Sequence, residues 1–187
     1  MPQRRRRKRG RVGGVNAEPD PPQNPHLELD LQIALQPPQE AALPTQADLE
    51  QWVKAALEGK MGEVALTIRL VEKDESASLN QQYRAKRGPT NVLSFPFEPP
   101  ADVPLPLLGD LVICAPLVAQ EALAQGKTAR AHWAHLVVHG VLHLRGYDHL
   151  DDLAADEMED LERKIMAYLG FDDPYMNDGT VEYDDNV

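Results

Sequence analysis

The chain has 187 residues, 42% apolar and 26% charged, an ordinary balance for one globular domain with a core of its own. No apolar run approaches the roughly 20 residues that a membrane-spanning helix needs, and the single cysteine, Cys114, excludes an internal disulfide. The formal charge of −11 is unevenly spread: residues 1–12 hold seven of the 19 basic residues, leaving 12 basic against 30 acidic beyond them, a body that does not attract a polyanion at long range.

Residues 1–25 are Arg-rich, then rich in Gly, Asn and Pro, with almost nothing to bury. Composition predicts a disordered extension. It reads equally as an RNA-contacting arm that gains affinity by counterion release, as a tail without function, or as the product of a start codon set too far upstream. Arg11 runs into Val12-Gly13-Gly14-Val15-Asn16 rather than an apolar segment, so it is not read as a secretory signal. Together with the lone thiol this leads us to expect a cytoplasmic protein.

From Leu27 to Ile33 apolar and polar residues alternate strictly, which predicts a half-buried strand ended by Pro37 and Pro38. Thr45 is placed to cap a helix to about Leu57, closed by Gly59. Val64 to Val71 alternates again and predicts a second strand. A helix opened by Asp74 or Ser76 runs to Arg84, with Gly88-Pro89 as its stop, and Val92-Leu93-Ser94-Phe95 is a short third strand. After a proline-rich loop, Leu108 to Cys114 predicts a fourth strand buried on both faces, where Cys114 reads as a buried free thiol. Helices follow at about 116–125, 128–144 and 151–169, the second capped by Thr128 and the third by Asp151 or Asp152. Asp172 to Val187 is acidic and turn-rich, and a flexible tail is expected there. Strands early and helices late predict an α+β fold: a single domain with about four strands in a mixed sheet covered by helices.

The most informative stretch is His139-Gly140-Val141-Leu142-His143-Leu144-Arg145-Gly146-Tyr147-Asp148-His149. Residues four apart on a helix share a face, so His139 and His143 come within reach of one metal ion. Gly146 stands where a left-handed residue closes a helix, and the chain beyond can return His149 to the same point. Three neutral imidazoles suit Zn²⁺ and leave a fourth tetrahedral position open. The plainer reading is a helix with two core or surface histidines and a third by chance; the spacing favours the metal. The same H-x3-H-x5-H spacing occurs in metzincin proteases, whose glutamate after the first histidine is the general base. Here Gly140 fills that place, so a hydrolytic zinc site of another kind is expected, with a peptide or amide hydrolase as a rival reading.

His135 lies on the same helical face, but residues eight apart are about 12 Å apart along a helix axis. It is therefore a poor partner of His143 on one ion, and reads as a group that orients a ligand, binds substrate or is simply buried. Asp148 and Asp110 are the nearest carboxylates that could take the second N–H of a metal-bound imidazole; Asp148 reads equally as a capping or solvated residue. Arg84, Lys86 and Arg87 form the densest basic spot outside the N-terminus. They could hold a phosphate, although charge alone describes an ordinary basic helix end.

The runs Leu79-Asn80-x-x-Tyr83-Arg84, Pro89 to Glu98, Leu108 to Ile113 and His139 to His149 together resemble the YbeY family of bacterial endoribonucleases, over about residues 27–175. Many members carry aspartate where Asn91 stands, and family chains commonly start near the first strand. The resemblance implies a single-strand-specific, zinc-dependent endoribonuclease of 16S rRNA 3′-end maturation and ribosome quality control. Its partners would be RNA, the 30S subunit and ribosomal proteins, with no membrane involved. It implies one Zn²⁺ per chain on His139, His143 and His149, and a functional arginine at Arg84. Arg84 and His139 are then the expected catalytic residues, and Arg84, Lys86 and Arg87 the expected substrate contacts. Residues 26–171 become the catalytic domain. The rival of a different class is a ribosome-assembly factor that binds RNA without cutting it and whose zinc is structural.

Overall fold

The computed structural model describes residues 25–37, 43–60, 62–100, 105–149 and 151–176. The basic extension up to residue 24 and the acidic tail beyond Met176 lie outside the described residues.

Nine elements follow one another: β1 (His26–Ala34), α1 (Gln46–Ala56), β2 (Glu63–Val71), α2 (Lys73–Arg84), β3 (Val92–Pro96), β4 (Leu107–Cys114), α3 (Ala115–Ala124), α4 (Ala129–Leu144) and α5 (Asp152–Tyr168). The strands form one mixed sheet in the order β1-β2-β4-β3, with β1 and β4 parallel to β2 and β3 antiparallel to β4 at the edge. Thus the α+β, four-stranded reading of the sequence describes the fold. The strand alternation is real: Leu27, Leu29 and Leu31 face the core while their neighbours face solvent. In β4 the expected burial holds except at Asp110, which is exposed.

The two faces of the sheet are unequal. The larger core packs Val64, Leu66, Ile68, Leu70, Leu111 and Ile113 against α1, α4 and α5, and a smaller cluster of Val71, Leu93 and Val112 lies with Leu79 of α2 and Phe95 on the other face. Local chemistry starts the helices where the sequence indicated. Thr45 and Asp48 form a reciprocal capping box on α1, Thr128 accepts from Ala131 N, and Asp151 accepts from Ala154 N. α2 begins at Lys73 and runs to Arg84 as expected, but it is closed by Ala85, held left-handed at φ 56°, three residues before the Gly88 stop read from the sequence.

α4 is buried nearly all round, from His132 to Leu144 with His139 alone half-buried, as a helix in the middle of a fold must be. Its close seat on the sheet rests on two glycines. A Cβ on Gly140 would stand 2.8 Å from Leu111 Cδ2 and 3.4 Å from Ser94 Oγ. Gly109, at φ 145°, lies at a register irregularity between β2 and β4, and a Cβ there would meet Phe95 O at 2.3 Å and Leu144 Cδ2 at 2.9 Å. No helix among the described residues is long and apolar enough to cross a membrane.

Candidate metal centre

α4 ends in a turn that decides the geometry of the site. Gly146, at φ 91°, donates to His143 O at 2.9 Å and Tyr147 donates to Leu142 O at 3.1 Å, the paired bonds of a Schellman cap. Arg145 anchors this turn to the end of α1, its Nη1 donating to Ala56 O at 2.5 Å while its guanidinium lies 5.4 Å from the Tyr147 ring centre. The chain then turns back, with Asp148 Oδ1 accepting from His149 N at 2.8 Å.

His149 is thereby returned to the two helical histidines. One ring nitrogen from each of His139, His143 and His149 lies within 4.8 Å of the others, and Nε2 of His139 and Nε2 of His143 are 3.1 Å apart. Two ligands at roughly 2.0–2.1 Å on a tetrahedral ion stand about 3.3 Å apart, so the helical pair has the spacing for a shared cation. The half-buried His149 closes on it as the third.

The protonation of the rings fits that use. Burial, with His139 and His149 close by, pushes the His143 imidazole down to about 3, so it is neutral at physiological pH and keeps a lone pair. Nδ1 of His139 meets Oε1 of Glu162 at 2.7 Å. A carboxylate there accepts the hydrogen bond from Nδ1–H, which keeps the proton on Nδ1 and leaves the Nε2 lone pair directed at His143. Three imidazoles, His143 neutral and His139 held through Nδ1 by Glu162, are a fit donor set for a borderline-soft divalent cation.

Glu162, on α5, is the residue that sequence reasoning missed, for the carboxylate behind the imidazoles is neither Asp148 nor Asp110. Asp148 shapes the turn that carries His149, and Asp110 is exposed on β4 opposite Phe95. Glu162 is fully buried. Its Oε2 also accepts from His135 Nε2 at 2.6 Å and from the Tyr175 hydroxyl. Burial works to raise its pKa, but His139 and the hydrogen bonds from His135 and His139 outweigh burial and hold it well below the usual carboxylate range. The sequence did carry a signal: Glu162 shares the buried stripe of α5 with Met158, Ile165 and Met166, and a carboxylate on an apolar stripe needs partners.

His135, too far along the helix to join His143 on one ion, therefore acts one step back, on the carboxylate that orients His139. Tyr175 reaches the same carboxylate from beyond α5, and Arg163 lies over its ring at 4.8 Å.

Arg84, at the end of α2, donates from Nη2 to Ser94 O on β3 at 3.2 Å, and Ser94 Oγ donates to Gly140 O on the metal helix at 3.3 Å. One strand residue thus links the arginine to the backbone between the first two histidines. Lys86 is half-buried and Arg87 exposed in the loop that follows.

Comparison with known proteins agrees with these motifs. The model of the family described as Endoribonuclease YbeY matches residues 36–170, from just after β1 through α5. Among solved structures, the solution structure of TM1509 from Thermotoga maritima is 26% identical, covering 76% of this chain and 92% of its own with a TM-score of 0.47. With the family match spanning well over half its length, this chain belongs to the YbeY endoribonuclease family.

Proposed function

We propose that the chain is a zinc-dependent, single-strand-specific endoribonuclease that acts in 16S rRNA 3′-end maturation and ribosome quality control, working in the cytoplasm on RNA in association with the 30S subunit and its proteins. Family membership supports the reaction class. The observation that carries the reading is the convergence of three ring nitrogens with a buried carboxylate fixing one of them.

His139, His143 and His149 would hold the ion. When bound, zinc supplies a Lewis acid for the scissile phosphate and lowers the pKa of water to about 7. The chain's own groups do the rest. Glu162 keeps His139 in the ligating tautomer, and Arg84 neutralises charge that develops on the phosphoryl oxygens as a bidentate guanidinium can. Lys86 and Arg87 extend the phosphate contact along the strand.

Gly140 bears on which hydrolysis this is. The position that carries a protease's general base faces β4 and β3, not the histidine cluster, and has no room for a Cβ beside Leu111. A peptidase mechanism of that type has no place to put its base. The nucleophile is then either water or the substrate's own 2′-OH, and the product ends separate the two. A 2′,3′-cyclic phosphate or 3′-phosphate marks attack by the 2′-OH, whereas a 3′-OH with a 5′-phosphate marks water.

The test couples metal analysis to cleavage of a defined single-stranded RNA. His143→Ala should lose bound zinc and cleavage together, and Arg84→Glu should lose cleavage with zinc retained. A rigorously metal-free preparation that cleaves at the full rate would overturn the reading. RNA binding without any cleavage by the zinc-loaded wild type would make the protein a binding factor instead.

A further inference from the structure

The end of α2 leaves a large aromatic side chain in solvent. Tyr83 is 57% exposed, yet its ring is held edge-on against Phe95 of β3, with centroids 5.1 Å apart and planes at 73°. Phe95 is itself anchored in the small cluster of Leu93, Val112 and Leu79. An exposed tyrosine that floats freely presents no defined surface; this one is held in a T-shaped contact while more than half of its surface stays in solvent.

Its neighbours carry the complementary charge. Arg84 follows it and is tied to Ser94 O, Lys86 and Arg87 follow that, and Ser94 reaches Gly140 O beside His139. Beyond residue 12 the chain is strongly acidic, so a fixed aromatic ring among three basic residues is a local departure from the field around it. The pairing of an aromatic face with a basic backbone track is what single-stranded nucleic acid requires, because every base offers a π-face and every linkage a phosphate.

Building on the nuclease reading, we propose that Tyr83, braced by Phe95, is a stacking platform for one nucleobase of single-stranded RNA, whose adjoining phosphate lies on Arg84. The platform gives grip on an unpaired strand without choosing its sequence. A base inside a duplex has both faces covered and cannot use it, so the platform contributes to single-strand preference.

The experiment measures binding of the zinc-loaded full chain to a fluorescent single-stranded RNA decamer and to the same sequence as a duplex. The RNA carries 2′-O-methyl groups that block the 2′-OH and phosphorothioate linkages that slow attack by water, and its intactness is checked on a gel. Wild type, Tyr83→Ala and Tyr83→Phe are compared at one salt concentration, with zinc content and melting temperature measured alongside. Loss of one stacked base predicts single-strand binding by Tyr83→Ala weaker by roughly 5- to 150-fold. Tyr83→Phe keeps the ring and should stay within about 2-fold of wild type. Duplex binding, zinc content and melting temperature should hold in both. Unchanged single-strand affinity in Tyr83→Ala, or an equal loss on the duplex, overturns the platform. If wild type still cleaves RNA in that case, the nuclease reading stands without it. A wild type that neither binds nor cleaves removes both.

Discussion

Glu162 gives the sharpest test of the metal centre, because a single buried carboxylate serves three donors. In Glu162→Ala the N–H of His139, the N–H of His135 and the hydroxyl of Tyr175 all lose their acceptor. Each stranded buried donor costs about 1–3 kcal/mol, so an apo-state loss of about 3 kcal/mol is expected even where water relieves part of it. Loss of the group behind a ligating imidazole weakens metal binding about 10- to 100-fold, and Ala belongs at the upper end because nothing then selects the His139 tautomer. Glu162→Gln separates the two effects. Its amide oxygen can still accept from His139 Nδ1, but its NH2 group then faces His135 and Tyr175, and the negative charge is gone. Zinc affinity should fall about 10-fold. The assay is competition with a chromophoric chelator at neutral pH, beside denaturant unfolding of the metal-free protein. Zinc affinity of Glu162→Ala within about 3-fold of wild type would show that this carboxylate does not tune the site.

Three further outcomes follow from the packing and the caps. Gly140→Ala gains about 1 kcal/mol of helix propensity but drives a methyl to 2.8 Å from Leu111 Cδ2, an overpacking worth about 1–3 kcal/mol; urea unfolding should show a net loss of up to about 2 kcal/mol, and a gain would mean that Leu111 moves aside freely. Gly109→Ala has no such relief, because its Cβ meets the Phe95 carbonyl at 2.3 Å in a backbone that side chains rarely adopt; a loss of about 3 kcal/mol or more is expected, with zinc binding impaired in step because Leu144 of the metal helix is the next atom struck. The hydrogen bond from Thr45, despite burial, and the nearby Arg130 hold Asp48 below the ordinary value of 3.8. The stability it confers is present above that value and is lost as pH falls through the lower folded pKa. Asp48→Asn should therefore be less stable than wild type by about 1 kcal/mol at neutral pH, with the gap closing below about pH 4 in thermal melts; a gap that persists at low pH would show that charge is not the cause.

The parts of this fold that were legible in the sequence are those in which neighbours along the chain decide the outcome. The alternation of β1 and β2, the Thr45 and Thr128 caps and the Gly146 stop are local patterns, and the elements appear where those patterns stand. The H-x3-H-x5-H run is local as well, which is why the three histidines that converge in the fold could be grouped before any tertiary contact was known. α2 ends at Arg84 as read, but its closing residue was not legible, because the left-handed position falls to Ala85 and not to the glycine that local rules favour.

What stayed hidden comes from long-range packing. Gly140 read from sequence only as a missing base; in the fold it is the point where α4 touches β4 and β3. The carboxylate behind His139 was sought among residues close in sequence to the cluster or on a strand, and it comes instead from 23 positions downstream on α5. The two findings are linked. α4 is buried nearly all round, so a polar ring on it can be retained only where another element brings a polar partner. α5 does this for His135 and His139 with one residue, and Glu121 of α3 does it for His132 at 2.8 Å. The central helix can carry its histidines inside a core because the helices flanking it each supply a carboxylate. On this argument Glu162 belongs to the metal site as much as the ligands do, and its place on an otherwise apolar stripe is the mark by which such a residue can be found in a sequence.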